Sequence, residues 1–175
     1  MAPLKIGILG AARIADDGIV TPSRVLGHRV VAVAARDQSR AEAFAAQRGI
    51  DKVHQTYADV IDDPDVEVVY NALVNSLHAQ WNQYALNAGK HVLSEKPFAS
   101  NATEASLVRD VARAAPGQIV EGFHYLHHPV NQRLRELVTS GELGDVRQVD
   151  IQLTMSAPPT SDPARQPDPR TGRFR

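Results

Sequence analysis

The sequence predicts an α/β fold, with a doubly wound parallel sheet followed by the start of an incomplete α+β second domain. Short β-branched runs alternate with longer helical patterns, which is typical of parallel βαβ units. Most of these runs are continuously apolar, as expected when helices cover both faces of a sheet. The pattern changes after Gly122. We therefore expect one domain over residues 1–122, the beginning of another over 123–156, and a poorly ordered tail over 157–175.

Within the first domain, glycine or proline follows each helical pattern within a few residues, which marks where the helices end. The predicted strands are Lys5 to Leu9, Arg29 to Ala34, Val66 to Asn71, His91 to Leu93 and Gln118 to Val120. The predicted helices are Ser39 to Gln47, Tyr57 to Ile61, Leu77 to Asn87 and Thr103 to Ala114.

After Gly122, residues Pro129 to Thr139 have a helical pattern that ends at Ser140 and Gly141. Residues Val146 to Met155 alternate with nearly a two-residue period, which predicts a strand of a different, antiparallel sheet. The remaining segment is rich in proline and has almost nothing that can be buried, so we expect it to be poorly ordered.

Composition excludes several classes of protein. The 175 residues carry 19 basic and 20 acidic side chains and a net charge of −1, so no overall charge favours nucleic acid or anionic lipid. The absence of cysteine excludes disulfides and thiolate sites. No apolar stretch approaches the ~20 residues of a membrane span, and the first apolar run begins at Leu4, which leaves no room for a signal peptide. We expect a cytoplasmic protein without a membrane or nucleic-acid partner.

A glycine motif lies where the first predicted strand leads into a helix. Gly7 is suited to the tight turn, Gly10 lets a pyrophosphate approach the backbone, and the third position, Ala12, needs only a small side chain. The amides of a helix N-terminus then bind the anion. A tight βα turn without a ligand remains the alternative.

The end of the second predicted strand indicates which dinucleotide is bound. An acidic residue there suits the ribose 2′-hydroxyl of NAD, whereas arginine suits the 2′-phosphate of NADP. Arg36 occupies this corner and Arg40 follows one helical turn later, so the two guanidinium groups favour NADP. Asp37 lies between them and leaves NAD possible, unless it caps the following helix.

Glu95, Lys96 and Pro97 directly follow another predicted strand. A carboxylate and an ammonium are costly to desolvate, and strand ends in parallel sheets face the ligand crevice, so Lys96 is the candidate for proton transfer. An exposed ion pair at a strand-to-helix corner is the alternative.

In this order, the segments resemble the Gfo/Idh/MocA oxidoreductase family, whose members have an N-terminal Rossmann domain followed by a domain with a large open sheet. The likeness spans Leu4 to about Met155, and the stretch around Arg36 looks most like the NADP-dependent dihydrodiol and D-xylose dehydrogenases of that family. Five motifs carry it: the glycine loop from Gly7, Ala34 to Asp37, Asn75 to His78, Glu95 to Pro97, and Glu121 to Tyr125.

The resemblance implies hydride transfer between NADP, or NAD, and a sugar, polyol or diol, with Lys96 as the catalytic lysine and no metal. The pyrophosphate would be held by Gly7, Gly10, Ala12, Arg13 and Ile14, and the adenosine side by Arg36 and Arg40. The nicotinamide approach would be lined by Leu73, Asn75 and His78 with Glu95 nearby, and the substrate by His124 and Tyr125.

Three points remain open at this stage. His78 is either a cofactor contact or a capping or packing residue. The cluster of His124, His127 and His128 suggests a metal site by its spacing, but no acidic or cysteine partner accompanies it. Since the chain stops before the family's second domain is complete, a non-catalytic nucleotide-binding module is the alternative function, and a homo-oligomer could cover the predicted strand from Val146.

Overall fold

The computed structural model describes residues 2–152 and 154, so the predicted tail over 157–175 lies outside the described residues. The chain divides into two compact units, the first ending at Leu126 and the second beginning at His127. The first unit therefore ends shortly after the predicted boundary at residue 122.

The first unit is built on one sheet of six parallel strands. These are β1 (Lys5–Leu9), β2 (Arg29–Ala34), β3 (Lys52–His54), β4 (Val68–Asn71), β5 (His91–Ser94) and β6 (Ile119–Glu121). Their order across the sheet is β3-β2-β1-β4-β5-β6. This order, with its reversal between β1 and β4, is that of the dinucleotide-binding Rossmann fold, and it confirms the predicted doubly wound α/β class.

Helices cover both faces of this sheet. On one face, α3 (Tyr57–Asp62), α4 (Asn75–Asn87) and α5 (Ala102–Ala114) pack through side chains such as Ile61, Leu86 and Val108. On the other, a π-helix (Asp16–Val20), α1 (Thr21–Val25) and α2 (Gln38–Arg48) pack through side chains such as Ile19 and Phe44. Burial on both sides explains why the central strands are continuously apolar.

The prediction missed strand β3. Its three residues, Lys52, Val53 and His54, contain no apolar run because β3 is an edge strand, pairs only with β2 and is only half-buried. Two of its side chains have a polar partner instead: Lys52 and His54 both contact the buried carboxylate of Asp63. The elements that were predicted for the first unit are all present, with ends that differ by up to two residues.

The second unit contains α6 (Pro129–Thr139), as predicted. Proline at its first position and a bond from the Val130 N–H to His128 Nδ1 fix where the helix begins. The strand predicted from Val146 is wrong for the described residues, since 146–152 form no strand. Val149 and Ile151 are exposed by 71% and 85%. An alternating sequence forms a strand only when a neighbouring strand pairs with it, and the described residues supply none.

Candidate nucleotide-binding site

A cavity of ≈560 Å³ lies where β1, β2 and β4 end, within the first unit. This is the position at which open parallel sheets bind ligands, outside the carboxyl ends of the strands where the strand order reverses. The volume is in the range usual for small-molecule pockets. The cavity is lined by Gly10, Ala11, Ala12, Ala35, Arg36, Asp37, Arg40, Gln55, Thr56, Tyr57, Ala72, Leu73, Val74, Leu77 and Trp81.

The sharp turn after β1 lies at Gly10. Its φ is +95°, a conformation that favours glycine, and its N–H donates to Ala34 O at 2.8 Å. A Cβ here would come within 3.1 Å of Leu73 Cδ2. Gly7 lies inside β1 instead, where a Cβ would come within 2.6 Å of Val60 Cγ1. The structure therefore gives the turn to Gly10, and Gly7 allows α3 to pack closely on the sheet.

At the end of β2, Asp37 is the N-cap of α2. Its carboxylate accepts hydrogen bonds from the Ser39 hydroxyl at 2.7 Å and from the Arg40 N–H at 3.2 Å. These two hydrogen bonds, the one from Ser39 having the larger effect, hold the pKa of Asp37 below its ordinary value. One of the two predicted uses of Asp37, helix capping, is thus present.

The two arginines at this corner have different surroundings. Arg40 Nη2 donates to the carbonyl oxygen of Ala11 at 3.0 Å, so this side chain ties α2 to the glycine loop. Arg36 lines the cavity and is exposed, and its guanidinium makes no hydrogen bond to another described residue. Arg36 is therefore the cation that is free to meet an anionic ligand.

A buried polar network lies beneath the cavity, between α4 and the ends of β4 and β5. Asn71 Nδ2 donates to Asn82 Oδ1 at 2.8 Å, and Asn82 Nδ2 donates to Ser94 Oγ at 3.0 Å and to Phe98 O at 3.1 Å. Asn71 Oδ1 accepts from the Leu73 N–H at 3.3 Å. Asn71, Asn82 and Ser94 are fully buried, so the network fixes the loops that follow both strands.

His78 belongs to the same layer. It is buried, with Nδ1 2.6 Å from Pro97 O and Nε2 2.8 Å from Leu73 O. Both neighbours are backbone acceptors, so both ring nitrogens are engaged and neither faces a ligand. Of the two predicted roles for His78, the structure shows the packing and bridging one.

Glu95 and Lys96 follow β5. This strand is the neighbour of β4, and the residues that follow β4 line the cavity. The Glu95 N–H donates to Asn71 O at 2.9 Å, which places Glu95 beside Ala72. The Glu95 side chain is buried and accepts a hydrogen bond from the Tyr70 hydroxyl at 2.7 Å, whereas Lys96 is exposed. Among the described residues these two neighbours form no ion pair. The burial on which the sequence argument relied therefore applies to Glu95 and not to Lys96.

Other predicted site residues lie outside the cavity wall. Arg13, Ile14 and Asn75 are exposed at the starts of helical segments, near the glycine loop or the end of β4. His124 and Tyr125 are exposed after β6, where the Tyr125 ring packs against Phe123 with centroids 5.5 Å apart. Within the part of the chain that the structure describes, no three histidine, aspartate or glutamate side chains are grouped to hold a metal ion. No described helix is long and apolar enough to cross a membrane.

Sequence reasoning missed one wall of the cavity. Gln55, Thr56 and Tyr57 follow the overlooked strand β3, and Trp81 comes from α4, with its ring edge-on to Tyr57 at 5.3 Å between centroids. A usable signal was present: Thr56 and Asp59 have the spacing of a helix capping box, which the structure shows. That box marks the start of α3 and hence the end of a preceding strand.

Fold, cavity and strand-end residues together define a nucleotide-binding Rossmann domain, and residues 4–123 match the oxidoreductase family with an NAD-binding Rossmann fold known as Gfo/Idh/MocA. The chain belongs to this family. The predicted family and fold are confirmed.

Relatives within this family act on sugars and diols. The chain is 36% identical over 162 residues to the NADP-dependent D-xylose 1-dehydrogenase 2 of Haloferax volcanii, covering 93% of this chain and 50% of that protein. It is 34% identical to the trans-1,2-dihydrobenzene-1,2-diol dehydrogenase of Xenopus tropicalis, covering 85% and 46%. The crystal structure of a 3-ketoreductase from Actinomadura kijaniata with NADP and TDP-benzene matches with a TM-score of 0.73 and 33% identity, covering 80% of this chain and 43% of that one. The chain thus spans about half the length of the relatives it matches.

Proposed function

We propose that this chain is the cofactor-binding part of an NADP-dependent oxidoreductase that transfers hydride to or from a sugar, polyol or diol. One observation carries the proposal: a single cavity joins the Gly10 turn, the free Arg36 and the loop at Leu73, and that loop is bonded through His78 to the loop that carries Lys96.

The residues present fit a dinucleotide. Gly10 leaves the space that a Cβ would fill against Leu73, and Ala12 keeps the third position small, so a pyrophosphate can approach the backbone of residues 10–14. Arg13 and Ile14 belong to this segment and would contribute to pyrophosphate binding. Gly7 supports it from within β1, and Arg40 supports it by holding Ala11.

The adenosine half would lie over the end of β2. The free guanidinium of Arg36 is suited to a 2′-phosphate, which it can contact with two parallel hydrogen bonds. Asp37 already accepts two hydrogen bonds at the cap of α2, so it is less available for a ribose hydroxyl. These contacts favour NADP over NAD.

The nicotinamide half would then extend past Leu73 and Asn75 toward Glu95 and Lys96, on the β4 and β5 side of the sheet. When bound, the nicotinamide ring supplies or accepts the hydride at C4. Lys96 moves the matching proton. In the reducing direction its ammonium donates a proton to the substrate oxygen while the carbonyl carbon gains hydride, and in the oxidising direction its amine takes the proton from the hydroxyl, leaving a carbonyl.

Substrate class is proposed from the relatives, since D-xylose and dihydrodiol dehydrogenases and a TDP-sugar reductase share this domain. His124 and Tyr125 follow β6 and are exposed, so they are the substrate contacts that we propose within this chain. A homo-oligomer and a cytoplasmic location stay predictions.

Substitution of Lys96 tests this function. We expect Lys96→Ala to retain NADPH binding, measured by calorimetry, and to lose substrate-dependent NADPH formation from NADP and D-xylose or a trans-diol. Lys90→Ala is the matched control, because Lys90 follows α4 and bonds to the carbonyl oxygens of Asp63 and Val66, away from the cavity. Equal turnover by Lys96→Ala would refute the catalytic role. NADPH binding with no turnover by the unaltered protein would favour the alternative, a non-catalytic nucleotide-binding module.

A further inference from the structure

Tyr70 is buried in the sheet and has a polar partner at the edge of the site. Its side chain comes from β4 and is 1% exposed, and its hydroxyl donates to Glu95 Oε1 at 2.7 Å. Burial, followed by the bond to Glu95, raises the pKa of Tyr70 far above its ordinary value, so the hydroxyl keeps its proton and remains a donor. Glu95 Oε1 is thus fixed.

The other carboxylate oxygen of Glu95 has a different situation. Glu95 Oε2 makes no hydrogen bond to any described residue. Among the described residues, the only side-chain polar atom that is both fully buried and without a partner is Ser23 Oγ, so Glu95 Oε2 is not fully buried. It therefore keeps access to solvent at the end of β5, directly before Lys96. A carboxylate held at one oxygen and open at the other is oriented to accept a hydrogen bond from a ligand hydroxyl.

Gly18 makes the contact between Tyr70 and Glu95 possible. This glycine lies in the π-helix, which follows the glycine loop and places the Gly18 backbone against the Tyr70 ring. A Cβ at this position would overlap the Tyr70 hydroxyl and lie 3.6 Å from Glu95 Oε1. The absence of a Cβ at Gly18 therefore leaves room for the Tyr70 hydroxyl, within a helix type that often occurs at functional sites.

We propose that Tyr70 is a positioning residue: with Gly18 it aims the free oxygen of Glu95 at a hydroxyl of the nicotinamide ribose. The inference rests on the proposed function, because the nicotinamide half must cross the end of β5. The adenosine half, at the end of β2, lies on the other side of β1 and should not depend on Tyr70.

Two ligands distinguish binding at the nicotinamide half of the site from binding at the adenosine half. NADPH carries both, whereas adenosine 2′,5′-bisphosphate carries only the adenosine side with its 2′-phosphate. Trp81, the only tryptophan of the chain, lines the cavity and can report binding of either ligand by fluorescence, with calorimetry as the second measurement.

We expect Tyr70→Phe to weaken NADPH about tenfold, the usual effect of losing an oriented hydrogen bond to a charged group, and to leave the bisphosphate within about twofold. Gly18→Ala should also weaken NADPH binding and leave bisphosphate binding nearly unchanged, because the new Cβ displaces the Tyr70 hydroxyl without removing it. Tyr84→Phe is the matched control, because the Tyr84 hydroxyl also donates to a carboxylate, Asp62, but at an exposed site.

Each outcome decides between the claims. Equal weakening of both ligands by Tyr70→Phe, or no change in either, would overturn the positioning role, as would equal affinity of the unaltered chain for the two ligands. Failure of the unaltered chain to bind either ligand would refute the proposed function instead. If Tyr70→Phe lowers the melting temperature strongly, the Gly18→Ala variant tests the positioning role instead, through its ratio of NADPH affinity to bisphosphate affinity.

Discussion

His78 Nδ1 lies 2.6 Å from the carbonyl oxygen of Pro97, and the other nitrogen of the same ring lies 2.8 Å from the carbonyl oxygen of Leu73. Leu73 belongs to the cavity wall, and Pro97 follows Lys96 directly. A carbonyl oxygen only accepts, so a hydrogen bond on either side of the ring runs from a ring N–H to the backbone. One buried side chain on α4 therefore connects the loop after β4, which lines the cavity, to the loop with the proposed catalytic lysine.

Loss of this bridge should be costly for stability. We expect His78→Leu to lower the free energy of unfolding by about 2–5 kcal/mol, because it leaves two carbonyl oxygens without their partner in the interior. Urea unfolding followed by circular dichroism measures this change. His91→Leu is the control: His91 is exposed and accepts one bond, from the Gln118 N–H, so the cost should be much smaller. Similar costs for the two variants would contradict the bridging role.

Asp63 should make the stability of the first unit depend on pH. Burial alone would raise its pKa, but hydrogen bonds from Lys52, the Asp65 N–H and His54 outweigh burial and hold the pKa far below its ordinary value. Because the folded pKa is depressed, the stabilisation is complete above the unfolded pKa of about 3.9 and is lost as the pH falls through and below it.

Thermal unfolding between pH 7 and pH 3 tests this dependence. We expect Asp63→Asn to be less stable than the unaltered chain at neutral pH and to lose less stability on acidification. Asp110→Asn, at an exposed pair with Arg109, should follow the unaltered chain. Parallel pH profiles for Asp63→Asn and the unaltered chain would show that the cluster around Asp63 does not carry the effect.

The central strands and the helix ends of the fold were predictable because buried strands are runs of apolar residues in the sequence. Strands β1, β2, β4 and β5 are apolar on both faces, and glycine or proline marks the helix ends. Strand β3 was not predictable in this way, since polar contacts from Lys52 and His54 to Asp63 replace an apolar run. The strand expected from Val146 failed for the opposite reason. Its alternation is present, but a strand also needs a neighbouring strand, and no described residue pairs with 146–152.

Sequence motifs were enough to locate Gly10 and Arg36, which line the cavity, and the segment from Glu95 to Pro97, which follows β5. It was not predictable where a role depends on which neighbour a side chain reaches. Arg40 bonds to Ala11, His78 bonds to two backbone carbonyls, and Tyr70 bonds to Glu95, 25 residues later in the chain. No local pattern distinguishes these uses from direct ligand contact.

Exposed aliphatic side chains after Gly144 should cause self-association. Val149 and Ile151 are largely exposed, and each stands to gain about 1.5–3 kcal/mol on full burial in a second copy. We expect light scattering to show dimers or larger species of the 175-residue chain, and a chain ending at Gly144 to be monomeric with its cofactor affinity retained. A monodisperse monomer of the full chain at high concentration would contradict this.

The cofactor preference tests the central claim most directly, through calorimetric titration of the unaltered chain with NADP and with NAD. We predict that NADP binds at least about tenfold more tightly, since the Arg36 guanidinium can form one or two charge-assisted hydrogen bonds to the 2′-phosphate. Arg36→Ala should remove most of that preference, while Arg109→Ala, whose side chain pairs with Asp110 on α5, should keep it. Equal affinity for the two cofactors, or a preference for NAD, would contradict the account and assign the ribose to Asp37.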